Sequence, residues 1–188
     1  MIWDELEVGL AQLASDGLLR RRRTLDAPCG PAALVDGQQV VAFCSNDYLG
    51  LANHPAIVAA VRAAAEHWGV GSGASHVVSG HLRPHDALEE RLATFVGRER
   101  ALYFTTGYMA NLAIVPTLVE RNDAIFADRL NHASLIDAAL LARAQHVRFP
   151  HGDMAVLAER LAQSCARRKL ILTDAVFSMD GDLALLPE

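Results

Sequence analysis

"DAIFADRLNHASLIDAALLARAQHVRFP", residues 123–150, reads as strand, helix, strand, and that reading decides the fold. "DAIFA" (123–127) and "HVRFP" (146–150) are short apolar runs of strand length, and "HASLIDAALLARA" (132–144) has the length and composition of a helix between them. The same alternation extends in both directions. Upstream, "RALYF" (100–104) reads as a strand and "GYMANLAIVPTLV" (107–119) as an apolar helix, kinked or ended at Pro116. Downstream, "DMAVLAERLAQSCARR" (153–168) reads as a helix and "KLILTD" (169–174) as a strand. Short apolar strands alternating with helices suit an α/β fold: a mostly parallel sheet with helices on both faces. In such sheets ligands sit beyond the carboxyl ends of the strands. Four loops are therefore expected along one edge: Thr105–Tyr108, Asp128–His132, Pro150–Asp153 and Ala175–Asp182.

The first hundred residues are less regular. Residues 4–19 place apolar side chains at helical spacing and predict an N-terminal helical arm. Residues 32–45 predict a hairpin with Asp36-Gly37 in its turn. Residues 54–69 predict a helix with Pro55 in the first turn and Gly69 just past the end. "VGSGASHVVSG" (70–80) is a glycine-rich loop, and residues 84–97 predict another helix closed by Gly97.

Composition narrows the classes. With 188 residues, 52% of them apolar and 21% charged, the chain is ordinary globular material. A net charge of −5 argues against a nucleic-acid partner. The arginine run 20–23 is the one basic cluster, and it is expected to close the arm helix, where cations suit the dipole. Cys29, Cys44 and Cys165 form no C-x-x-C pair. No apolar run has membrane length and no signal pattern opens the chain, so a soluble, cytoplasmic protein is expected, with no membrane partner.

Several residues could carry chemistry. "FTTGYMAN" (104–111) puts Thr-Thr-Gly at a helix start, which suits either an anion such as phosphate or a plain threonine cap. His132 opens a helix beside a strand end and would stack on a ring-shaped cofactor if one sat at the neighbouring phosphate site. His81 and His85 are four apart, but no H-E-x-x-H is present and a metal is not expected. The glycine-rich loop follows a helix rather than a strand, so it is no dinucleotide fingerprint. "SNDYLGL" (45–51) reads as a capping loop with Tyr48 and Leu49 as packing residues.

Five blocks, in order, carry a resemblance: "FCSNDYLGLANHP", "GVGSGASHVVSGHLRPHDALEERLATF", "ALYFTTGYMANLAIV", "ADRLNHASLIDAALL" and "TDAVFSMDGD". Together they resemble the α-oxoamine synthases, pyridoxal-phosphate (PLP) enzymes of the aspartate-aminotransferase-like fold. "SHVVSGH" with "HDALEERLATF" is most similar to the branch that condenses L-alanine with a pimeloyl thioester, on CoA or a carrier protein, in biotin biosynthesis. The resemblance implies PLP as cofactor and a homodimer as the assembly. It implies that Gly107 and Tyr108 bind the phosphate, that His132 stacks on the pyridine ring and meets substrate, and that Ser178 hydrogen-bonds the cofactor. Arg21 matches a substrate-carboxylate arginine, with Arg20 one step away in register, and Asn46 a substrate-side residue. Asp174 departs from the Glu common in relatives.

The family's Schiff-base lysine, and the Asp that partners the pyridine nitrogen, are expected beyond residue 188, so no catalytic residue is assigned within this chain. Its one lysine, Lys169, opens a strand and should lie at the far end of the sheet from the four loops. The expectation is a helical arm over 1–38, including the start of the hairpin, and a truncated PLP-binding large domain over 39–188 that is inactive alone. Three other readings stand beside it: a sister synthase using glycine or serine, a non-catalytic half-domain that binds a partner, and a metal enzyme built on His81 and His85.

Overall fold

The computed structural model describes residues 1–186; Pro187 and Glu188, which end the expected 39–188 span, lie outside them. Residues 1–80 and 81–188 form two compact units.

In the first unit, α1 (Ile2–Ser15) stops four residues before the reading of 4–19. Gly17 turns left-handed at φ 69°, and Leu18 N–H reaches back to Leu13 O at 2.8 Å, a Schellman closure that Leu18 and Leu19 had masked by keeping apolar spacing. The arginine run therefore lies beyond the helix: its last turn holds no basic residue, and the expected dipole partnership is absent. β1 (Ala32–Val35) and β2 (Gln38–Val41) pair antiparallel, Val35 opposite Gln38. Asp36 and Gly37 both take positive φ, 49° and 77°, as a two-residue hairpin turn of this hand requires. α2 (Pro55–Trp68) is capped by His54, whose Nδ1 accepts from Ala56 N, and ends at Gly69 with φ 77°. At Gly80 a Cβ would lie 1.8 Å from the Ala74 carbonyl oxygen, so the loop closes only with glycine there.

The second unit carries the sheet. α3 (Arg83–Phe95) leads into residues 100–104, which form no strand, against expectation. A strand needs a partner backbone, and here Tyr103 N–H is taken instead by the Glu89 carboxylate of α3 at 3.0 Å. α4 (Gly107–Leu118) runs through Pro116 and ends two residues past it. β3 (Ala124–Asp128), α5 (Ala133–Leu141), β4 (Gln145–Phe149), α6 (Met154–Gln163) and β5 (Lys169–Leu172) follow in the expected order. The sheet order is β4-β3-β5, all parallel, with Ala124 opposite both Gln145 and Lys169. Three strands therefore stand where four were expected.

β3 is buried along its whole length and feeds a core on each face. Ile125 and Ala127 pack with Val115 and Val119 at the end of α4 and with Ala138 and Ala139 of α5. Ala124 and Phe126, on the alternate side, pack with Phe149 of β4 and Leu157 of α6. Helices thus cover both faces, as the run of small apolar strand residues implied. The amino end is locked by Asp123, only 1% exposed, which receives Arg167 through Nε and Nη2, each at 3.0 Å. Hydrogen bonding to Arg167 holds the Asp123 carboxyl below its ordinary value, against the effect of burial.

Candidate functional site

The carboxyl edge of the sheet gathers three of the four expected loops, since β3, β4 and β5 run in parallel and end together. Lys169 begins β5 opposite Ala124, at the other end, and its Nζ donates to Leu161 O at 2.6 Å. The expected separation of the single lysine from the loops is what the register gives.

At the start of α4, Thr106 is the cap: its Oγ1 accepts from Met109 N at 3.1 Å. That satisfies the third N–H of the first turn and leaves those of Gly107 and Tyr108 without an intrahelical acceptor, the arrangement that suits an anion. The Tyr108 hydroxyl donates to the Asp137 carboxylate of α5, which pushes the phenol above its ordinary value. The Tyr108 and His132 rings stand edge to face, 6.4 Å between centroids.

His132 caps α5, and its local bonds fix which nitrogen carries hydrogen. Ser134 N–H donates to Nδ1 at 3.2 Å, and a backbone N–H can only donate. Ser134 Oγ, 2.8 Å from Nδ1, itself receives Asn111 Nδ2–H at 2.9 Å and so has its own hydrogen to give to the ring. Nδ1 is the acceptor of both, which leaves the ring hydrogen on Nε2.

Behind His132 lies a reciprocal clasp that the sequence did not announce. Asn131, buried, donates from Nδ2 to Leu172 O at 2.7 Å and accepts Asp174 N–H on Oδ1 at 3.2 Å. Asp174 Oδ2 then accepts His132 N–H at 2.6 Å. Strand pairing between β3 and β5 stops at Ala127–Leu172, and these side-chain bonds continue it into the loops. Asp174 is thereby bound to the His132 backbone. His132, Asp174 and Ser178 line one cleft of about 140 Å³, with Leu130, Phe177 and Met179 among the other walls.

Of the expected site residues, Gly107, Tyr108, His132 and Ser178 all belong to the second unit, and His132 and Ser178 share the cleft. Arg21, Arg20 and Asn46 belong to the first unit and are exposed. Within "SNDYLGL", Asp47 is the capping residue, accepting Leu51 N–H at 2.8 Å. Tyr48 and Leu49 are not packed: they are 88% and 81% exposed. Their apolar bodies suggested burial, but this stretch is a turn held by the Asp47 carboxylate and offers no interior. His81 pairs with Asp86 at 2.8 Å, and His85 Nδ1 accepts Leu82 N–H at 2.9 Å.

The parallel sheet with helices on both faces has the fold of the PLP-dependent aminotransferases. Residues 38–188 match the aminotransferase class I and II family, and the chain belongs to it. The chain is 65% identical, over 98% of its length and 47% of the relative's, to the 8-amino-7-oxononanoate synthase of Azoarcus sp. (strain BH72). It is 63% identical over its whole length, and 48% of the relative's, to that of Herminiimonas arsenicoxydans. Among solved structures it resembles a serine palmitoyltransferase from S. paucimobilis with bound PLP–myriocin aldimine, at TM-score 0.88 and 30% identity, covering 98% of this chain and 47% of that one. It also resembles the 8-amino-7-oxononanoate synthase of Francisella tularensis, at TM-score 0.65 and 32% identity, over 77% of this chain and 40% of that one. The chain spans about half the length of the curated relatives it matches. No helix among the described residues is long and apolar enough to cross a membrane.

Proposed function

We propose that this chain contributes the cofactor-facing edge of a PLP-dependent 8-amino-7-oxononanoate synthase, which condenses L-alanine with a pimeloyl thioester, with loss of carbon dioxide, in biotin biosynthesis. The observation that supports it most is the identity of 65% over 98% of the chain. The serine palmitoyltransferases, at about half that identity, favour a sister chemistry less. PLP, when bound, supplies the electron sink that weakens bonds at the amino acid's α-carbon.

The residues present suit that group. Gly107 and Tyr108 hold the phosphate on the N–H groups that open α4. His132 lies against the ring, kept in one tautomer by Ser134, and Ser178 gives its hydroxyl to the cofactor. Arg21, or Arg20 in the neighbouring register, takes the substrate carboxylate, and Asn46 stands on the substrate side. The family match from residue 38 supports dividing a helical arm (1–38) from the PLP-binding span (39–188). The working enzyme is a cytoplasmic homodimer. Lys169 is held at the far end of the sheet by Leu161 O, so the chain by itself binds cofactor without turning over.

The test is a PLP titration of the 188-residue chain read by amide hydrogen exchange, followed by borohydride reduction and intact mass. Protection in 105–111, 130–134 and 174–182, with no stable adduct on Lys169, is expected. Protection elsewhere, or a stoichiometric adduct on Lys169, would sink the assignment.

A further inference from the structure

β3 ends on Asp128, whose side chain is 3% exposed. Its carboxylate accepts Leu130 N–H at 2.8 Å, Gly152 N–H at 3.1 Å, and His151 Nδ1 at 3.1 Å from each oxygen. The other ring nitrogen, His151 Nε2, lies 2.7 Å from Asp182 Oδ2. Asp182 stands on the returning limb of the loop that bears Ser178. There Phe177 N–H donates to Asp182 O at 2.9 Å, Gly181 N–H to Phe177 O at 2.8 Å, and Val176 bridges Leu183. Phe177, 4% exposed, sets its ring edge to face with the imidazole at 4.4 Å.

A carboxylate only accepts, so both ring nitrogens must carry hydrogen for both contacts to be bonds. Neutral imidazole has one hydrogen to give; imidazolium has two. We propose that His151 is the positioning residue of the Ser178 loop: an imidazolium pin between Asp128, at the end of β3, and Asp182, without which residues 175–184 lift from the sheet and carry Ser178 away. The role of Ser178 rests on the function proposed above; the pin itself does not.

Hydrogen bonds to Asp128 and then Asp182 hold His151 above its ordinary value, against the opposing effect of burial. A raised value means the pin is complete below the usual histidine range, about 6.5, and comes apart as pH rises through the raised value. The charges facing the ring are Asp128 from β3 and Asp182 from the loop. Arg148 of β4 is engaged with Arg129 O at 2.8 Å, and Asp153 caps α6 through Val156 N–H at 2.9 Å.

The experiment follows the His151 ring nitrogens by long-range proton–nitrogen NMR in the 188-residue chain, with amide exchange of 175–184 as pH is raised. Native chain, Asp182→Asn and His151→Gln are compared. Both nitrogens should be protonated below the usual histidine range, about 6.5, and loop exchange, corrected for intrinsic pH dependence, should rise about tenfold through the His151 midpoint. Asp182→Asn should lower that midpoint and abolish the step while β3 stays protected, which shows that the variant is folded. His151→Gln, with one donor group, should exchange fast at every pH. A His151 midpoint no higher than the ordinary histidine value, about 6.5, or a step that survives in Asp182→Asn, overturns the pin. A PLP titration on either side of the step separates the two proposals: a pH step without PLP binding refutes only the site, and PLP binding without the step refutes only the pin.

Discussion

Replacing Asn131 by alanine removes the clasp between the β3–α5 loop and the end of β5. Two bonds go, Nδ2 to Leu172 O at 2.7 Å and Asp174 N to Oδ1 at 3.2 Å. Two backbone groups lose their partners. A buried group left unsatisfied costs about 1–3 kcal/mol, and Leu172 and Asp174 are both half-buried, so water reclaims part; about 2–3 kcal/mol in total is expected. Trp3 and Trp68 both belong to residues 1–80, not to the unit that holds the clasp. The assay is amide exchange of peptides covering β3 and β5, under conditions where exchange reports opening free energy. Exchange should accelerate about 30- to 140-fold, at a factor of ten per 1.4 kcal/mol. Asn131→Asp sharpens the test: it keeps an acceptor for Asp174 N–H but sets an oxygen against the Leu172 carbonyl. It should be no milder than alanine. Acceleration of less than about threefold in the alanine variant, or an aspartate variant as stable as the native chain, would refute the clasp as a stabilising element.

Phe126→Ala, at a side chain 1% exposed between Phe149 and Leu157, should cost about 3–5 kcal/mol by cavity formation, read as loss of β3 protection. Asp123→Asn bears on acid stability. The native carboxyl is held down by Arg167, so its contribution is present above the ordinary carboxyl range, about 3.9, and is lost as pH falls through the lower folded value. In the asparagine variant, far-UV circular dichroism should show a weaker second unit at neutral pH and a shallower acid transition. Ser134→Ala removes the hydroxyl from His132 Nδ1 and leaves Asn111 without that acceptor; about 1 kcal/mol and a weaker hold on PLP are expected, by urea titration and cofactor titration.

What could be read in the sequence was whatever depends on local chemistry. Asp36-Gly37 demanded a particular turn, Pro55 and Gly69 bracketed a helix, and the all-apolar β3 required cover on both faces; each came out as expected. Overruns occurred where apolar spacing outlived the backbone geometry. α1 was closed by Gly17, α5 was followed by Arg143 at φ 58°, and α6 ended where Ser164 turned extended. Residues 100–104 had strand composition but no backbone to pair with, and composition alone cannot supply a partner.

The site divides along the same line. His132 and the Thr-Thr-Gly turn stood out as candidates because a ring or a glycine at a helix start is a local signal. The meaning of Asn131, His151 and Asp182 was not local, since it lies in partners 23 to 43 residues away. The signal that could have raised them was weak but physical: polar residues at the carboxyl ends of buried parallel strands must find partners, and the nearest ones are on the neighbouring strands' loops. Asp128 ends β3, "HGD" follows β4, and "TD" follows β5. Those three clusters had no nearer neighbours than one another. Strand order then decides the pairing. With β3 central, its loop can reach both sides, Asn131 to the β5 end and Asp128 to the His151 loop beyond β4. Were the order β3-β4-β5 instead, Asn131 would lose its reach to Leu172. The polar edge therefore follows from the order of three strands, and His132 and Asp174 inherit their positions from it.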